Sequence, residues 1–143
     1  MKIKNQESIN YKLVTLVLAL IYAFTLANYN FDGYVSQDRD AYLYFASNSQ
    51  LVFFNNYSEG GLLKLLSNEF LFLTINIFLS NFYEAETVVK IIIFFSSFVT
   101  SFLVLKYNSK YFLLLILFLI VPGILFKFIV LFRQGLAIST FLL

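Results

Sequence analysis

The side chains here that could do chemistry are one arginine and a few carboxylates, because histidine and cysteine are both absent. That absence removes the usual acid–base group at neutral pH, the thiol nucleophile and the commonest metal ligands. Arg133 sits in Phe132-Arg133-Gln134-Gly135-Leu136-Ala137, flanked on both sides by apolar sequence. A cation at membrane depth costs about 2.5–3.5 kcal/mol on insertion scales, so it persists mainly where it has a partner or a task. Its planar, always-charged fork suits a bidentate anion such as phosphate. Upstream stand Asp38, Asp40 and Glu69. A carboxylate can take the proton of an attacking sugar hydroxyl, while the arginine steadies charge growing on a diphosphate leaving group. Together they make a workable set for glycosyl transfer from a lipid diphosphate, with no metal and no cofactor required.

The elements that would carry these groups are written in the composition. The chain has 143 residues, 60% hydrophobic and 13% charged, with a mean hydropathy of +0.81. Globular domains carry about 25% charged residues, so the expected class is an all-α integral membrane protein. The net charge of +2 hides an asymmetry, since all the acids but Glu7 fall between Asp32 and Glu86. No run of Lys or Arg resembles a nucleic-acid patch, and nucleic acid is excluded as a partner.

Spans are expected at about 13–29, 88–105 and 111–131, with the start of another at 134–143, where the sequence stops inside an apolar segment. On this reading the chain is a single, incomplete transmembrane domain. Pro122-Gly123 should kink or break the third span. Lys2, Lys4 and Lys12 precede the first span and place the amino terminus in the cytoplasm. A secretory signal peptide, with Thr25-Leu26-Ala27 as a cleavage site, is the competing reading of that segment. If Lys106 and Lys110 are also cytoplasmic, only two spans lie between them and the amino terminus. Residues 30–87 then form one external loop, and Leu62–Tyr83 is an interfacial or re-entrant helix rather than a span. A true span there would put Lys106 and Lys110 outside.

Within the loop, Ser36 or Asp38 is positioned to cap a helix running towards Phe54, broken by Asn55-Asn56 and Gly60-Gly61. Asp38 and Tyr42, four apart, share a face with Phe45 a turn further on. Such a helix would lie on the membrane with its aromatic side down. Under this topology Arg133 emerges on the same side as Asp38, Asp40 and Glu69. Each feature also has an ordinary reading. Asp38-Arg39-Asp40 could be a solvated loop end, Glu69 an interfacial acid, and Arg133 a snorkelling helix-end residue.

Three patches resemble a family. Asp38-Arg39-Asp40-Ala41-Tyr42 looks like the Asp-x-x-x-Tyr pattern after the first span of EpsG-like, Wzy-type polysaccharide polymerases. Glu69-Phe70-Leu71-Phe72 is similar to that family's Glu-Pro-aromatic segment, with Phe70 in place of proline. Arg133-Gln134-Gly135-Leu136-Ala137 matches its Arg-Gln-x-x-Ala element. The resemblance implies a multi-pass enzyme of the bacterial inner membrane, with likeness to the membrane glycosyltransferase superfold. It implies polymerisation of undecaprenyl-diphosphate-linked oligosaccharide repeat units at the outer face, for capsule, exopolysaccharide or O-antigen. Asp38 would be the base and Arg133 would hold the diphosphate. Asp40, Tyr42, Glu69 and Gln134 would contact or orient substrate. Other polysaccharide assembly proteins would be partners, and the family's usual ten or more spans imply that this chain alone is inactive. A fragment of a lipid-linked polysaccharide flippase and a small non-catalytic membrane subunit are the rival readings.

Overall fold

The computed structural model describes residues 2–29, 36–67, 70–107, 111–129 and 132–142, and these are all-helical, with no strand among them. In chain order the helices are α1 (Lys2–Ala27), α2 (Ser36–Ser47), α3 (Ser49–Ser67), α4 (Phe70–Ser80), α5 (Ala85–Tyr107), α6 (Phe112–Ile120), α7 (Pro122–Ile129) and α8 (Phe132–Leu142). They fall into two compact units, Phe31–Ile91 and the remainder, and α5 begins in the first of these and continues in the second.

In the terminal unit, α5 is the one described helix both long and apolar enough to cross a membrane. Its 23 residues give about 34 Å of helix against a hydrocarbon core of about 30 Å. Glu86 stands in its first turn and Lys106 in its last, both placed favourably for the helix dipole. Along one side Phe94, Phe98 and Phe102 stack at 6.2 and 5.9 Å, and the Lys106 ammonium lies 5.7 Å over the last ring. The apolar part of α1, Tyr11–Ala27, is shorter. Of the expected spans, then, only the one at 88–105 meets both criteria within a single described helix.

The expected break at Pro122 is present. The residue before a proline is pushed out of the helical region, and Val121 accordingly adopts φ −56°, ψ 128° between α6 and α7. Proline has no N–H to donate back, so carbonyls near the break need other partners. The Tyr22 hydroxyl of α1 donates to one of them, the Leu119 carbonyl, at 2.9 Å. Nearer the other end of α1, the Tyr11 hydroxyl donates to the Leu105 carbonyl, and its ring meets Phe112 edge-on at 5.5 Å.

In the middle unit, α2 and α3 are separated at Asn48 rather than at Asn55-Asn56, which stay helical. At the junction Ser47 Oγ and Asn48 Nδ2 donate to the Tyr44 carbonyl, at 3.1 and 3.3 Å, beside the Asn48 backbone N–H at 2.9 Å. The glycine break is present, at Gly61, with φ 63°, ψ −157° inside α3. Ser49 at the start of α3 hydrogen-bonds Ser80 at the end of α4, 3.1 Å apart, so the two helices run antiparallel.

Gly61 makes a direct test of this hinge. A Cβ there would meet nothing within 4 Å, so any penalty is purely conformational. Gly61→Ala is expected to cost about 1–3 kcal/mol, the range for side chains forced into a glycine-only region. Gly60→Ala, at a helical position, should be neutral or mildly stabilising. Thermal unfolding of the two variants in detergent checks the contrast.

Candidate functional site

The acid-bearing residues lie in the middle unit. Asp38, Asp40 and Tyr42 are carried on α2, and Asp40 is exposed. Tyr42 is 3% exposed. Its ring packs edge-on against Phe72 of α4 at 5.8 Å, and Phe45 meets the same ring at 6.4 Å. The aromatic side of α2 therefore closes on a neighbouring helix, not on a lipid surface as its periodicity alone had suggested. Once Tyr42 is anchored, the rotation of α2 is set, and with it the register of Asp38 one turn earlier and of Asp40. Glu69 lies outside the described residues.

The arginine patch lies in the terminal unit. Arg133 and Gln134 occupy the opening turn of α8, which holds no acidic residue. Free backbone N–H groups and the helix dipole favour an anion at such a turn. Gln134 is exposed, as is Ala137, whereas Gly135 and Ser139 are buried. The structure thus groups Asp38, Asp40 and Tyr42 on one helix and Arg133 with Gln134 on another, each group in its own unit. Among the described residues no group of three or more acidic side chains could hold a metal ion.

Two features were missed in the sequence. The first is inverted packing. Among the described positions of α1, Thr15, Ala19, Ala23 and Ala27 are buried at a spacing of four, with Leu26 beside them, while Leu13, Val14, Val17, Leu20, Ile21 and Phe24 are exposed. On α5, Ser96, Ser97, Thr100 and Ser101 are buried. Ser96 and Ser97 return their hydroxyls to the carbonyls of Ile92 and Ile93, at 2.8 and 2.6 Å, which lets them act as small spacers. On α1, small residues inside and large aliphatics outside match helices packed in lipid, where close backbone approach replaces hydrophobic collapse; α5 buries Val88, Val89, Ile92 and Leu105 along with its hydroxyl residues. The available signal was the four-residue spacing of small side chains. Ala23 is fully buried, so Ala23→Leu should destabilise by about 1–3 kcal/mol through overpacking. Ala23→Ser should be tolerated, and melting temperatures in detergent would separate the two.

The second feature is an open groove of about 580 Å³ in the middle unit, where the α2–α3 junction meets the end of α4. Its polar lining is neutral, with the amides of Asn48, Gln50, Asn55 and Asn81, and Phe54 standing beside them. No single helical period predicts it, because its residues come from α2, α3, α4 and the turns that join them. Compared with protein families, with curated proteins and with solved structures, the chain finds no match.

Proposed function

We propose that the chain belongs to a polytopic glycosyltransferase of the bacterial inner membrane. On this reading it joins oligosaccharide repeat units carried on undecaprenyl diphosphate, at the outer face, for capsule, exopolysaccharide or O-antigen. The observation that carries the membrane half of the reading is the length and apolar character of α5, together with the inverted packing of α1. The chemical half is supported by Arg133 and Gln134 in the opening turn of α8, a turn suited to a diphosphate. It is supported as well by the acids of α2 and by the polymerase-like order of the three sequence patches.

On this reading, which the charge pattern of the loops supports, Asp38 and Arg133 face the same, outer side. There Asp38 accepts the proton of the attacking sugar hydroxyl as that oxygen bonds to the anomeric carbon of the donor. The bond from the anomeric carbon to the diphosphate oxygen breaks, and Arg133 holds the departing diphosphate. Asp40, Gln134 and Glu69 hold sugar and phosphate oxygens, and buried Tyr42 keeps α2 in the rotation that presents its acids.

Deleting the gene in the cell that makes the protein tests the reading. Polymer should disappear while single repeat units accumulate on the lipid carrier at the outer face. Accumulation at the cytoplasmic face would identify a transporter instead, and unchanged polymer would refute both.

A further inference from the structure

We propose that the groove at the α2–α3 junction binds a neutral sugar through its amides and the face of Phe54. The proposal stands on the groove alone and does not rest on the acid–arginine chemistry. Its volume of about 580 Å³ falls inside the range of about 300–1,000 Å³ typical of small-molecule sites.

The lining selects the ligand class. It contains no charged side chain, so neither an anion nor a cation finds a counter-charge in it. Gln50, Asn55 and Asn81 are exposed, and each side-chain amide offers both donors and an acceptor. A sugar hydroxyl likewise both donates and accepts, and vicinal hydroxyls match the two ends of one amide. Asn48 is partly committed, since its Nδ2 donates to Ser47 Oγ at 3.0 Å and to the Tyr44 carbonyl. That bonding fixes the junction and aims the rest of the rim.

Phe54 supplies the apolar contact. It is 68% exposed yet lines this polar groove, and its ring is held edge-on to Phe53 at 6.3 Å. A flat aromatic face beside neutral hydrogen-bonding groups matches a pyranose, which has an apolar C–H face and a polar rim. The groove is braced from below by the Ser49–Ser80 hydrogen bond. Asn76, fully buried one turn before Ser80, donates Nδ2 to the Phe72 carbonyl at 2.8 Å. The Ser49–Ser80 bond ties the start of α3 to the end of α4 beside the groove.

The test uses the full chain in detergent and ligand-observed NMR, with maltotriose and chitotriose as neutral probes and trigalacturonate and adenosine as controls. Saturable binding of at least one neutral trisaccharide is expected, with neither control binding. Phe54→Ala should weaken it roughly ten-fold, the scale of one lost aromatic face, and Asn81→Leu should weaken it as well. Both positions are exposed, and an unchanged melting temperature confirms that each variant is folded. No binding of either neutral sugar, binding unaffected by both substitutions, or preference for a control would overturn the proposal. Binding is read on the isolated chain and polymer formation in cells, so failure here and failure of the glycosyl-transfer reading are separable.

Discussion

Arg133→Ala is expected to lower polymer formation about 10²–10³-fold, the usual loss when one preorganised donor to a developing anion is removed. The physical basis is the position of Arg133 in the opening turn of α8. On the proposed mechanism its guanidinium and the N–H groups of that turn would act on the same diphosphate. Arg133→Lys keeps the charge and should restore little, because an ammonium cannot make the paired, planar contact. Alanine is the best helix former, so α8 should persist and the amount of protein in the membrane should be unchanged. Polymer length and yield, measured at equal protein levels, check the pair of variants. Full activity in Arg133→Ala would reduce the residue to a snorkelling cation.

Asp38→Asn should be nearly as damaging, with a loss of about 10²–10⁴-fold expected when a general base is removed. The substitution keeps shape and hydrogen-bonding reach while removing the capacity to accept a proton. Asp40, exposed on the same helix, provides the internal comparison. Asp40→Asn should reduce activity less, because its assigned task is to hold sugar oxygens. Equal and small losses at both positions would mean that α2 carries an ordinary solvated acid cluster. In that case the base must be sought elsewhere.

Much of the fold was legible residue by residue. The span expected at 88–105 lies inside α5, Ala85–Tyr107, because a long apolar run broken after Lys90 only by small hydroxyl residues has few alternatives. Pro122 and Gly61 act where backbone chemistry requires, since one lacks a donor and the other tolerates positive φ. The α2–α3 boundary was less legible. Asn55-Asn56 looks like the stronger breaker, yet both stay helical and the boundary falls at Asn48. Periodicity placed Asp38, Tyr42 and Phe45 on one face but could not say what covers that face. The answer, Phe72, is non-local.

The inverted packing escaped notice for a related reason. In water the large aliphatics mark the buried stripe, whereas in lipid the small residues do. Thr15, Ala19 and Ala23 therefore looked like gaps in a hydrophobic run. As for the site, Asp38, Asp40, Arg133 and Gln134 stand out by charge or polarity against apolar sequence. The neutral groove does not, since its asparagines and glutamine are scattered over α3 and the turns beside it and come together only when the chain is folded.

Single-cysteine labelling tests the central claim most directly, and the cysteine-free sequence makes it clean. Probes at Ser36, Asn55, Ser109 and Gln134 are exposed in turn to a membrane-impermeant reagent. The account predicts labelling from outside at Ser36, Asn55 and Gln134, with Ser109 protected, which puts Asp38 and Arg133 on one face of the membrane. Labelling of Ser109 from outside, with Gln134 protected, would place the acid and the arginine on opposite faces and contradict the mechanism.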